Sequence, residues 1–63
     1  MKEGRKVWFV RSLWEKAVRV TVQSVTRTED GRVVWVETKD SLGNWHNGYP
    51  NQFTTGRPIQ YSF

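Results

Sequence analysis

One long stretch of alternating residues constrains the fold of this chain more than any other feature. Residues 17–39 read AVRVTVQSVTRT, then EDG, then RVVWVETK. Valines alternate with polar residues in the first part, which is typical of a half-buried β-strand. The last part is rich in β-branched and aromatic residues, which favour a second strand. Asp30-Gly31 between them is a hairpin signal, so the sequence predicts a small all-β protein.

The length of the hairpin loop decides which way the side chains of the second strand point. A two-residue loop, Asp30-Gly31, places two charged residues of that strand on the valine face. A three-residue loop, Glu29–Gly31, gives a face without charge, because glycine takes a positive φ at no steric cost. Burying an unpaired charge is costly, so we prefer the three-residue loop. It predicts that Trp35 faces outward.

The preferred register gives the hairpin two different faces. The outward face carries Arg19, Arg27 and Lys39 around Trp35, together with Val25, Val33 and Glu37. On the inward face, Ser24, Thr26 and Thr38 accompany the valines. The predicted core is Val18, Val20, Val22, Val34 and Val36 with Phe9 and at least one of Trp8, Trp14 and Trp45.

Three shorter strands are predicted around this hairpin. Val25 falls out of phase with the earlier valines, which indicates a β-bulge near Gln23-Ser24 or a bend of the strand. Residues 1–5 are expected to be a loosely held start of the chain. Two turns precede the last strand, and the first of them is a single tight turn or a 3₁₀ turn. The further strands are Lys6–Val10, Trp45–Tyr49 and Pro58–Phe63, and the turns are Pro50–Phe53 and Thr54–Arg57.

Five short strands suit a small closed or bent sheet, because closure hides strand edges. We therefore predict a five-stranded SH3-like barrel or a strongly bent antiparallel meander, as a single domain over residues 1–63. The order of loop, central hairpin and single turn resembles that of SH3-like barrels. The resemblance is one of architecture, since the acidic loop and the ALYDY-type run of peptide-binding SH3 domains are missing.

Charge is distributed unevenly along the 63 residues. The net charge is +4, and residues 1–27 hold seven Lys or Arg against two Glu, whereas residues 28–63 hold three against four acids. A basic half favours an acidic partner, of which nucleic acid is the commonest. A charged surface that only keeps the protein in solution is the alternative interpretation.

Several classes of protein are disfavoured by composition. The chain has no cysteine and one histidine, which argues against disulfides, a zinc site or another cofactor. Asp40, Ser41 and His46 form a superficial triad around one turn, but no oxyanion loop accompanies them, so we expect no enzyme. No run of residues has the length and hydrophobicity of a membrane span or signal peptide, and a cytoplasmic location is expected.

Aromatic residues are the stronger indication of a binding surface. Trp45 and Tyr49 share strand parity, and if they face outward they could extend the surface around Trp35. The alternative is that they belong to the core, which is favoured for Trp45 because a small barrel needs its large rings inside. Rings beside cations bind nucleic acid by stacking and by phosphate contacts. The candidate site residues are Arg19, Arg27, Trp35, Lys39, Trp45 and Tyr49.

Two functions of different class follow from this surface. The first is weakly sequence-specific nucleic-acid binding. The second is a protein-binding adaptor or inhibitor of a larger complex, of a kind that a phage or mobile element could encode, since Trp, Tyr and Arg dominate protein interfaces. Self-association through the aromatic face or the strand edges, giving a homo-oligomer, is a third outcome.

Overall fold

Antiparallel strands curl into a half-barrel in this protein, as seen in a computed structural model that describes residues 1–12 and 14–58. The described residues form four strands, β1 (Lys6–Phe9), β2 (Val18–Arg27), β3 (Val33–Lys39) and β4 (Phe53–Thr54), with a 3₁₀ turn at Pro50–Gln52 before β4. These strands make one sheet in the order β3-β2-β1-β4. The predicted all-β class is confirmed.

The segment directly after the 3₁₀ turn differs from expectation. Phe53–Thr54 forms a strand that pairs with β1, whereas the sequence predicts turns there. A two-residue strand has no periodicity to reveal it, and it exists because Phe53 is buried in the core. The predicted strand Pro58–Phe63 lies outside the described residues except for Pro58.

The hairpin loop has the predicted three residues. Gly31 has a φ of +87°, and the backbone N–H of Thr28 donates to the carbonyl of Arg32 at 2.8 Å. The Asp30 carboxylate accepts a hydrogen bond from the Thr28 hydroxyl, which tightens the loop. This hydrogen bond lowers the pKa of the Asp30 carboxyl.

Two register shifts change the pairing between β2 and β3. The first lies between Thr26 and Arg27 and adds one residue, Val34, to β3. The second lies between Val22 and Ser24 and adds one residue to β2. The second shift confirms the predicted bulge, and together the two shifts cancel, so the strands are in the regular register again beyond them.

The residues between the two shifts and next to them carry the errors in the predicted core. Val25 pairs with Val36 and packs against the core, as does Val33, although both were expected to face outward. Val34, expected in the core, is 39% exposed. Ser24 and Thr26, expected inward, are also exposed. The buried set is Val7, Phe9, Val20, Val22, Val36 and Phe53 with Thr38, while Val18 is half-buried.

No tryptophan reaches this core within the described residues. Trp8 is half-buried, and Trp14 and Trp45 are 68% and 54% exposed, so the expectation of a core tryptophan is wrong. The reason is strand parity: Val7 and Phe9 occupy the inward positions of β1, which leaves the outward position to Trp8. Valines and phenylalanines fill the narrow concave side of the sheet without a larger ring.

The segment after β3 returns along it as expected, although only two isolated bridges form. Val36 pairs with Gly48, and Lys39 pairs with Trp45. At the other end of the fold, the expected loose start is tied to β2, because Gly4 N–H donates to the carbonyl of Val22 at 2.8 Å. None of the described segments is a helix of the length and hydrophobicity needed to span a bilayer.

Replacing Gly31 by alanine should lower the free energy of unfolding by about 1–2 kcal/mol. A Cβ there meets no atom within 4 Å, so the cost comes from the left-handed backbone alone. Gly56→Ala is the matched control, because that site is equally open and has no positive φ. Urea unfolding measures both, and equal midpoints for the two variants would contradict the three-residue loop.

Candidate functional site

An aromatic pair stands on the outer face of the sheet, the face opposite the valine core. Trp35 lies on this face because its neighbour Val36 is buried inward. The bridges of the returning segment put Tyr49 opposite Trp35, and the two rings meet edge to face with centroids 5.1 Å apart. Tyr49 is 62% exposed and Trp35 is half-buried, so the pair presents its rings to solvent at the sheet edge.

A third aromatic residue lies on the same face, four residues further along β3. Lys39 bridges to Trp45, and the Lys39 ammonium sits 4.5 Å from the centroid of the Trp45 ring. Four residues of a strand span about 13 Å, which is the separation of the two aromatic positions along β3. We call Trp35, Lys39, Trp45 and Tyr49 the aromatic-basic edge.

Further cations extend the outer face toward β1. Thr21 of β2 pairs with both Lys6 and Lys39, so these two lysines lie on one line across the sheet. Strand spacing places them about 10 Å apart. Arg19 lies one outward position beyond Thr21 and covers Trp8, with its guanidinium carbon 5.3 Å from the ring centroid. Glu37 is the acid that β3 contributes to this face.

Arg27 is the one candidate residue that lies apart from the others. It pairs with Val33, whose side chain packs against the core. Its guanidinium donates to the carbonyl of Met1 at 2.7 Å and to the carbonyl of Gly31 at 3.1 Å. Arg27 therefore ties the chain start to the hairpin loop, and it is not grouped with Trp35.

A buried threonine fixes the segment that carries Trp45. Thr38 is fully buried, and its hydroxyl donates to the carbonyl of His46. The backbone N–H of His46 donates to the carbonyl of Thr38 at 2.8 Å, and the Thr38 N–H donates to Asn47 Oδ1 at 3.3 Å. These bonds hold residues 45–47 against β3.

The position of Tyr49 depends on the close approach of Gly48 and Gln52. The Tyr49 N–H donates to Gln52 Oε1 at 2.9 Å, and the Gln52 N–H donates back to the Tyr49 carbonyl at 2.9 Å. A Cβ on the buried Gly48 would collide with the Gln52 amide and would lie 3.4 Å from the Phe9 ring. A side chain at position 48 would therefore displace the Gln52 amide from the Tyr49 N–H.

Asp40 organises the turn between β3 and Trp45. Its Oδ1 accepts the N–H groups of Leu42 and Asn44 at 2.8 and 3.0 Å, and its Oδ2 lies 2.9 Å from His46 Nε2. The hydrogen bond from His46 is the main reason that the pKa of the Asp40 carboxyl falls to about 2. Among the described residues no hydrogen bond joins Ser41 to His46. The hydrogen bonds of Asp40 instead hold the backbone of the turn and the His46 ring in place.

Sequence reasoning missed several residues of this surface. Trp8 was one of three candidates for the core, yet it faces outward, and the guanidinium carbons of Arg19 and Arg57 lie 5.3 and 5.9 Å from its ring centroid. The alternation KVWF contains the signal, since inward Val7 and Phe9 require an outward Trp8. The amides of Asn47 and Gln52 have no comparable signal, because their roles depend on contacts made across the fold.

Thr38→Val should destabilise the protein by about 1–3 kcal/mol. Valine has the same shape, but it leaves the part-buried carbonyl of His46 without this donor. Thr26→Val is the control, because Thr26 is exposed on the same hairpin and its replacement should stay within about 0.5 kcal/mol. Urea unfolding followed by tryptophan fluorescence measures both, and an unchanged midpoint for Thr38→Val would show that this bond contributes nothing.

The contribution of Asp40 to stability should depend on pH. Its pKa is lowered in the folded state, so the contribution is complete above the ordinary value of 3.8 and is lost as the pH falls toward about 2. Asp40→Asn keeps an acceptor for the turn but removes the charge, so the loss of stability between pH 4 and pH 2 should become smaller. Ser41→Ala is the control within the same turn, and it should retain the full pH dependence in urea titrations.

Comparison of the chain with protein-family models, with curated proteins and with solved structures finds no match.

Proposed function

We propose that this protein is a non-enzymatic binding module that holds nucleic acid on the outer face of its sheet with weak sequence specificity. The observation that carries the proposal is the aromatic-basic edge, where exposed rings and a cation share one face. Each base has a π-face that stacks on an exposed ring, and each phosphate is an anion that Lys or Arg can hold.

The spacing of the outer face favours a single strand over a duplex. The Trp35–Tyr49 pair and Trp45 are about 13 Å apart along β3, which leaves room for a few nucleotides between two stacking positions. Unpaired bases can turn toward such rings, whereas the bases of a duplex are already stacked on one another. Lys39 lies on the Trp45 ring, and Lys6 and Arg19 lie across the sheet from the rings. These three cations supply the charge for the phosphates.

Titration of a labelled single-stranded oligonucleotide of mixed sequence at several salt concentrations tests this function. If the three cations hold three phosphates, log K should fall with log salt at a slope of about −2. Arg19→Ala should reduce that slope by about 0.7. Arg27→Ala should leave the slope unchanged, because its guanidinium is bonded to two backbone carbonyls away from this face.

Trp45→Ala in the same titration separates stacking from charge. It should weaken binding by about 1–3 kcal/mol through lost stacking while the salt slope stays nearly the same. Leu42→Ala is the control, because Leu42 is 85% exposed and apolar but has no ring. Absence of binding at low salt with micromolar protein would contradict the proposed function.

A protein partner is the second candidate function. It is favoured by an open groove of about 460 Å³ between the hairpin and the 3₁₀ turn, to which Val33, Val34, Tyr49 and Pro50 contribute apolar surface. Aromatic residues and arginine are the commonest anchors of protein interfaces. Binding that is insensitive to salt would favour this function, because counterion release makes nucleic-acid binding fall steeply with salt.

A further inference from the structure

A concave pocket of about 290 Å³ opens beside Trp45, at the place where the returning segment meets the end of β1. The carbonyl of Gln52 accepts the N–H of Val10 at 2.7 Å, which brings the 3₁₀ turn against that end of β1. The volume is close to the lower limit of small-molecule sites, about 300 Å³. Its lining is Phe9, Arg11, Trp45, His46, Asn47 and Gln52.

The hydrogen bonds of the fold leave this pocket rich in donors. Asn47 Oδ1 accepts the Thr38 N–H, and Gln52 Oε1 accepts the Tyr49 N–H. Within the described residues, the NH₂ groups of these two amides have no hydrogen-bond partner. A side-chain amide carries two donors on its nitrogen, so each is left with its donating group.

Arg11 and His46 are the other polar residues of the pocket, and Arg11 adds further hydrogen-bond donors. Arg11 adds a guanidinium, whose Nε has an exposed ion-pair contact with Glu15 at 4.0 Å. Arginine has donors and no acceptor. His46 Nε2 is held by Asp40 Oδ2, and the His46 ring packs on Phe9 with centroids 5.6 Å apart. The side-chain donors that line the pocket are two NH₂ groups and one guanidinium. They outnumber the one acceptor that the second ring nitrogen of His46 provides.

We propose that this pocket takes one base of the bound strand and prefers keto bases, namely thymine, uracil and guanine, over cytosine and adenine. The inference rests on the proposed function and gives its weak specificity a chemical cause. Thymine and guanine offer carbonyl oxygens where cytosine and adenine offer NH₂ groups. A donor placed against the donors of Asn47 and Gln52 leaves both sides unpaired, and a site built for one partner rejects the other strongly. Trp45 supplies the stacking face at the mouth of the pocket.

Oligomers of thymidine, deoxyuridine and deoxycytidine of equal length, titrated at one salt concentration, test the preference. Thymine and cytosine differ at position 4, where one has a carbonyl and the other an NH₂ group. Deoxyuridine controls for the methyl group of thymine. The expected result is about tenfold tighter binding of the thymidine and deoxyuridine oligomers than of the deoxycytidine oligomer, which is the lower range of one specific base contact.

Two isosteric variants locate the preference in the pocket. Asn47→Asp and Gln52→Glu keep the oxygen that serves the fold but replace the NH₂ group by a second acceptor. Each should reduce the ratio of thymidine to deoxycytidine affinity from about ten to near one. Asn51→Asp is the control, since it adds the same charge on the 3₁₀ turn outside the pocket and should weaken both oligomers equally.

The outcomes of these titrations distinguish a failure of the base preference from a failure of the proposed nucleic-acid binding. Salt-dependent binding of all three oligomers with equal affinity would overturn the base preference and leave the proposed function intact. A preference that survives both Asn47→Asp and Gln52→Glu would overturn the assignment to this pocket. No binding of any oligomer at low salt would overturn the proposed function, and the inference with it.

Discussion

The two register shifts of the β2–β3 hairpin are the constraint on which the rest of the structure depends. One extra residue in β3 and one in β2 cancel, so the pairing of the two strands is offset by one residue only between the shifts. Because side chains alternate with a period of two, a single uncompensated shift would move Thr38 to the outer face and Lys39 toward the core. With both shifts present, Val36 and Thr38 remain inward, and Trp35 and Lys39 remain on the face that carries the aromatic-basic edge.

Most of the hairpin could be predicted from sequence, because its signals are local. Gly31 sets the loop, and the phase break at Val25 marks the bulge near Gln23-Ser24. The other shift has no such mark, since Val33 and Val34 are chemically alike and either could face the core. Only the packing of Val33 against the rest of the fold distinguishes them. The strand Phe53–Thr54 is also invisible in sequence, because its existence depends on pairing with distant β1.

The candidate site was predictable in part for the same reason. Trp35 and Lys39 follow from the alternation of β3, and the parity shared by Trp45 and Tyr49 groups these two. The exposure of Trp45 did not follow, since a small barrel was expected to need its large rings inside. The concave side of this half-barrel is filled by valine and phenylalanine instead, which leaves the tryptophans outside. The separation of Arg27 depends on its bond to the Met1 carbonyl, a contact between residues 26 positions apart.

The hydrogen bonds that close the fold also determine what its surface can recognise. Thr38 and Tyr49 present backbone N–H groups that need acceptors, and the amides of Asn47 and Gln52 supply them. Each amide is thereby fixed in orientation, and only its donating end is left for a ligand. A fixed donor loses little conformational freedom on binding, so even a shallow pocket can discriminate between bases. Stability and the proposed base preference therefore depend on the same two side chains, and a substitution that tests the chemistry of the pocket must preserve their oxygens.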